Sequence, residues 1–150
     1  IYLVRHGEAY RPDEDLERPL NEQGRIDVAR IGDILIAKNI SIEKIYHSHK
    51  KRSVETAQII AKKLDQESKL CVLSFLDPED SINQLSYFIE DAKENAIFVG
   101  HLPNLEILTA YLLNLGTHEL DFSYSPGSVA CIKHENDHYT LEWFISPSET

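Results

Sequence analysis

Residues 1–8 constrain this chain more than any other stretch: Ile1, Leu3 and Val4 form a short apolar run that stops abruptly in Arg5-His6-Gly7-Glu8. An apolar run this short, bounded by a glycine, reads as a buried strand at the centre of a parallel or mixed sheet. A second such run, Ala96-Ile97-Phe98-Val99, stops in Gly100-His101. Open α/β sheets keep their ligands at the carboxyl ends of the strands, so both histidines fall where a ligand is expected. Gly7 is expected to let backbone come close to that ligand. A lone histidine after a strand is as readily a hydrogen-bonded structural residue as a catalyst, so the case for His6 rests on its partners. An imidazole that attacks phosphorus needs cations around the phosphoryl oxygens, because negative charge spreads over them during transfer.

The rest of the chain alternates helix and strand. Residues 9–18, with Pro12 and a run of acids, read as a long loop over the first strand's end. Asn21 is a candidate N-cap for a helix ending near Asn39, with Val28, Ile31, Ile34 and Leu35 on one face. Residues 44–48 read as a strand, and residues 51–64 as a helix burying Val54, Ala57, Ile60, Ala61 and Leu64. Residues 70–75 are a third strand candidate, and residues 81–92 a helix spaced on Ile82, Leu85, Phe88 and Ile89. After His101, Pro103 suits the start of a helix with Leu105, Leu108, Leu112 and Leu115 on one stripe. Two strands, residues 128–134 and 139–144, close the pattern, and the polar tail from Ser146 is expected to fray. The order predicts an α/β three-layer sandwich, a mostly parallel central sheet flanked by helices.

Length fits a single domain over residues 1–150. A formal net charge of -10 disfavours nonspecific nucleic-acid or membrane binding. Without an apolar run of spanning length or a charged-then-apolar leader, a cytoplasmic location is expected. The run starts inside a strand with no Met, so a residue or two before Ile1 is expected to be missing. Cys71 and Cys131 sit in apolar or β-branched surroundings and read as reduced core thiols. Positive charge is local: Lys44, Lys50, Lys51, Arg52, Lys62 and Lys63 face only Glu43 and Glu55 within residues 43–63. The macrodipole disfavours cations at a helix start, so the Lys50-Lys51-Arg52 turn makes sense if an anion sits there. Lys50 and Lys51 read equally well as a solvated basic turn; Arg52 does less so. His101, just before a helix, is expected to be held neutral. His47 and His49 would face the same way, but no carboxylate or thiolate is placed to complete a metal set with His6 and His101. No metal or other cofactor is expected.

Arg5-His6-Gly7 after the first strand, Ser48 to Arg52 followed by Thr56-Ala57, and the late Gly100-His101 together resemble the histidine phosphatase superfamily, the phosphoglycerate-mutase-like fold. Within it the chain is most similar to the short SixA-type phosphohistidine phosphatases. The shared features are its small size, Arg18-Pro19-Leu20 before the first helix, His101-Leu102-Pro103, and the small polar stretch 125–130 entering the last hairpin. The resemblance implies that His6 attacks phosphorus in line and becomes a phosphohistidine while Arg5, Arg52 and His101 hold the phosphoryl oxygens. Arg18 is a further candidate contact. Chemistry agrees: a neutral imidazole is nucleophilic, nearby guanidiniums discourage its protonation, and the planar fork of Arg grips two phosphate oxygens. Ser48 is expected to shape its turn. Glu8 reads either as a partner for an Arg or as a solvated carboxylate.

One departure bears on the substrate. Superfamily members acting on alkyl phosphates use a carboxyl acid to protonate the leaving oxygen. The corresponding region here offers only Asp77, Glu79 and Asp80, in a proline turn unlike the usual Glu-bearing motif. An imidazole leaving group needs less help than an alkoxide, so the resemblance implies a phosphohistidine-bearing protein as substrate, a histidine phosphotransfer domain being one candidate. A small-molecule phosphomonoesterase or mutase is the alternative, favoured if Glu79 or Asp80 points at the phosphate. A non-catalytic phosphate-binding module is disfavoured, since recognition alone needs no nucleophile.

Overall fold

Alternate side chains of the first strand feed two different cores, as the period of a strand requires. In the computed structural model, which describes residues 1–149, the order is β1 (Tyr2–Arg5), α1 (Glu22–Ala37), β2 (Lys44–His47), α2 (Lys51–Leu64), β3 (Leu70–Val72), α3 (Ile82–Ala92), β4 (Ala96–Gly100), α4 (Asn104–Leu113), β5 (Val129–Glu135) and β6 (His138–Ile145). Tyr2 and Val4 pack with Val28, Ile31 and Leu35 of α1 and with Ala57 and Ile60 of α2. Leu3 packs on the opposite face with Leu85 and Ile89 of α3 and Leu105 and Leu108 of α4. The same division runs through β4, with Ile97 and Val99 on the first face and Phe98 on the second. Three layers result.

The six strands form one sheet in the order β3-β2-β4-β1-β5-β6. β3, β2, β4 and β1 pair in parallel, whereas β5 and β6 are antiparallel. This is the expected α/β sandwich, and it sets the carboxyl ends of β1 and β4 side by side, with Arg5 registered against Gly100. α1 begins as its sequence predicts, with Asn21 Oδ1 accepting the Gly24 N–H at 2.8 Å. Gly24 has a second reason to be glycine: a Cβ there would lie 2.0 Å from the Glu8 carbonyl oxygen.

Three expectations about extent are corrected. The run 70–75 pairs only over Leu70–Val72. Leu73 then turns inward, and with Leu76 it is buried beneath the loop that follows. α4 stops at Leu113 because Asn114 takes the left-handed conformation at φ 59°, which asparagine tolerates at a helix end. Leu115 consequently lies off the core stripe and is 39% exposed. Ser146 is buried and Pro147–Glu149 forms a single 3-10 turn rather than fraying, while Thr150 lies outside the described residues. No helix among the described residues is long and apolar enough to cross a membrane.

Candidate active site

The end of β1 is fixed by backbone before any side chain enters. Arg5 N–H donates to the Ser128 carbonyl at 3.0 Å, and His6 N–H donates to the Gly100 carbonyl at 3.1 Å, tying the β1 and β4 exits together. Gly7 N–H donates to Thr56 Oγ1 at 2.9 Å, while that hydroxyl donates to the Arg52 carbonyl at 2.7 Å. The first turn of α2 is thereby clasped to the residue after His6. Gly7 has a packing reason to be glycine: a Cβ would meet Val28 Cγ2 at 2.6 Å, so its bareness lets the loop pack on α1.

His6 is buried, at 7% exposure. Its Nδ1 lies 2.7 Å from the Gly7 carbonyl oxygen. A carbonyl only accepts, so Nδ1 carries the proton and Nε2 keeps its lone pair. Burial, reinforced by Arg52, Arg5 and Arg18, outweighs the Gly7 bond and pushes the imidazole pKa down to about 4. His101, at 2% exposure, stands with its ring centroid 5.1 Å from that of His6. Burial, then His6, Arg52, Lys50 and Arg5, push it down to about 3. Sequence reasoning anticipated neutral histidines from dipoles and cations; the larger cause is desolvation, which no local sequence reveals.

Around these rings the cations are poorly neutralised. Arg5 Nη1 donates to the Tyr124 carbonyl at 2.8 Å. Burial lowers the pKa of Arg5 and of Arg52, yet guanidiniums of this kind stay charged. Among the described residues, the buried side-chain polar atoms without a hydrogen-bond partner are Arg5 Nε, Arg52 Nε and His101 Nδ1. Unmatched buried polar atoms are uncommon and costly. His101 is the ring neighbour of His6, and Arg5 and Arg52 both act electrostatically on the two imidazoles.

An open cleft of about 440 Å³ runs outward from Arg52 and is lined by Arg18, Lys50, Lys51 and Glu79 among others. Arg18 sits half-buried in a left-handed backbone conformation, φ 49°, with its Nε donating to the Tyr10 carbonyl at 2.8 Å. The structure therefore brings Arg18 to the mouth of the site. Lys51 pairs with Glu17 at 3.1 Å and Lys50 lies 4.0 Å from Glu79, both on the surface. Glu8 is exposed and forms no ion pair among the described residues, in keeping with a solvated carboxylate. Asp77 accepts from His49 N–H at 2.9 Å, with His49 Nδ1 3.3 Å from its other oxygen, which ties it to the turn after β2, whereas Asp80 accepts from Asp77 N–H within its own turn. Asn104 Nδ2 donates to the carbonyls of Asp77 and Asp80 and holds that turn to the start of α4. Glu79, 74% exposed, is the acid of this group that reaches the cleft. Contacts missed by sequence reasoning are the Tyr124 carbonyl and the Ser48–His101 bond, at 2.7 Å, because each joins segments distant along the chain.

The buried neutral histidines predict a pH dependence of stability. Unfolded imidazoles protonate near 6.5, whereas those of His6 and His101 resist protonation down to about 4 and about 3. Between these values the unfolded chain binds more protons, so stability is complete above about pH 6.5 and is lost as pH falls through the window. At about 1.4 kcal/mol per pKa unit the loss reaches several kcal/mol. Urea unfolding midpoints should fall from pH 7 to pH 5, above most carboxylate titration, and less steeply in His6→Asn. Parallel curves for the two proteins would refute the assignment.

Residues 1–72 match the histidine phosphatase superfamily (branch 1). Among solved structures, the protein histidine phosphatase SixA complexed with tungstate superposes with a TM-score of 0.86 at 23% identity, covering 99% of this chain and 97% of that one. A protein assigned as the phosphohistidine phosphatase SixA of Agrobacterium tumefaciens gives 0.80 at 22% identity, over 97% and 96% of the two chains. A protein assigned as an alpha-ribazole-5'-P phosphatase from Escherichia coli K-12 gives 0.79 at 16% identity, over 97% and 95%. At these identities the likeness is one of fold. No curated protein matches the chain in sequence.

Proposed function

We propose that this chain, whose first 72 residues match the histidine phosphatase superfamily and whose fold is that of SixA, hydrolyses phosphohistidine on a protein. The observation that carries the phosphatase reading is the convergence of unmatched buried donors on a neutral imidazole whose Nε2 lone pair is open. In this reading His6 Nε2 forms a bond to phosphorus as the bond to the substrate imidazole breaks. The leaving imidazole takes a proton from solvent. Water then attacks the phosphorus of phosphorylated His6, the new N–P bond breaks, and inorganic phosphate leaves as a proton returns to solvent. Arg5 Nε, Arg52 Nε and His101 hold the phosphoryl oxygens throughout, and Arg18 at the cleft mouth meets the incoming group. No step draws on a metal or other cofactor.

The preference for a phosphoramidate rests on the acids. The Asp77 carboxylate is engaged by His49 in the β2–α2 turn, Asp80 is engaged within its own turn, and Glu79 stands at the open mouth rather than among the buried donors. That position also supports a second reading, a small-molecule phosphomonoesterase in which Glu79 protonates the leaving oxygen across the cleft. Turnover of a phosphohistidine-bearing protein, measured beside p-nitrophenyl phosphate and 3-phosphoglycerate, separates the two. The phosphoramidate should be favoured by at least about tenfold in kcat/KM, with Glu79→Gln nearly silent, since that residue supplies no proton. Preference for an ester, lost in Glu79→Gln, would replace the first reading with the second.

A further inference from the structure

Ser48 is fully buried, and its hydroxyl lies 2.7 Å from His101 Nε2. Its own surroundings decide which atom donates. The Lys50 N–H donates to Ser48 Oγ at 3.3 Å. If His101 Nε2–H also donated to that oxygen, the hydroxyl proton would be buried with no acceptor among its recorded contacts, at the cost of an unmatched donor. The Ser53 hydroxyl, which accepts Ser48 N–H at 3.0 Å and donates to the Val99 carbonyl at 3.0 Å, forms no hydrogen bond with Ser48 Oγ among the described residues. The arrangement in which every proton around Ser48 is placed has Ser48 O–H donating to His101 Nε2.

From this we infer that Ser48 is a positioning residue that locks His101 in the Nδ1–H tautomer, presenting a donor rather than a lone pair to an anion held beside His6. The consequence fits the geometry on the other side of the ring. Among the described residues His101 Nδ1 is buried without a partner, as are Arg5 Nε and Arg52 Nε, whose charges act on the same ring. With the opposite tautomer a lone pair would face the phosphoryl oxygens and repel them. The burial that keeps His101 neutral is what makes its tautomer consequential, because a protonated ring would donate from both nitrogens whatever Ser48 did. Ser48 thus does more than shape the turn between β2 and α2: it carries orientation from that turn to the exit of β4.

The role of the donor rests on the phosphatase reading, but the tautomer does not, so the two fail separately. Long-range proton–nitrogen correlation spectra of the 15N-labelled wild-type protein at pH 7, with His101 identified by loss of its signals in His101→Gln, report which ring nitrogen carries the proton. Protonation at Nδ1 is the expected result, and protonation at Nε2 would overturn the inference outright, without recourse to any variant. In Ser48→Ala the ring should become a mixture of tautomers and turnover of p-nitrophenyl phosphate or a phosphohistidine protein should fall roughly 10- to 100-fold, with Ser48→Thr restoring both. An unchanged tautomer in folded Ser48→Ala would also overturn it. Loss of turnover with the tautomer intact would count against it equally, since that is the signature of a merely structural hydroxyl.

Discussion

Replacing His6 with alanine should lower turnover by about four orders of magnitude or more, the scale seen when a covalent nucleophile is removed. The reason lies in the tautomer. With Nδ1–H committed to the Gly7 carbonyl, Nε2 carries the lone pair, and the depressed pKa keeps it unprotonated across the physiological range. The other imidazole at the β1 and β4 exits, that of His101, is engaged at Nε2 by Ser48. The variant should nonetheless fold. The His6 side chain contributes one neutral hydrogen bond, and such a bond is worth only about 1 kcal/mol net. Its backbone N–H bond to Gly100, which ties the strands together, survives the substitution. The variant should also keep its affinity for inorganic phosphate, because Arg5, Arg52 and His101 remain. Calorimetry of phosphate binding alongside circular dichroism and a turnover assay checks all three points. Near wild-type turnover in a folded His6→Ala protein would sink the covalent route.

How much of this was legible in sequence depended on the distance over which each feature acts. Apolar periodicity placed all four helices, because one face of each is buried against the sheet along its whole length. The abrupt stops after Val4 and Val99 marked the candidate site for the same reason: a strand buried on both faces has nowhere to put a charge except its end. The packing role of Gly7 was not legible, because a ligand and a neighbouring helix both demand room and the Val28 contact joins segments distant along the chain. The Ser48–His101 bond was missed for a related reason, since its two ends lie fifty-three residues apart and come together only when β2 and β4 pair. Arg18 stood apart from the other cations in sequence and does so in space, at the mouth rather than among the buried donors.

Arg52→Ala should cost about 2.7–4 kcal/mol of transition-state stabilisation, roughly 10²- to 10³-fold in turnover, the range for removing one preorganised donor. Two features make Arg52 the cation to test. Its Nε is buried and unmatched, so the desolvation already endured is recovered only when an anion arrives. It is also the charge that contributes most, after burial, to holding His6 unprotonated. Its loss should therefore raise the pKa of His6 from about 4 and move the acid limb of the pH–rate profile toward neutrality, besides lowering the plateau. Arg52→Lys separates the contributions. It keeps the positive charge, so the acid limb should stay near its original place, but it lacks the planar fork and so should still lose much of the plateau. Lys50→Ala, one step before the helix on the exposed rim, should change the rate only slightly in low salt and not at all in high salt. If Arg52→Ala proved no worse than Lys50→Ala, the basic turn would be a solvated surface after all. The phosphoryl group would then have to be held from Arg5 and His101 alone.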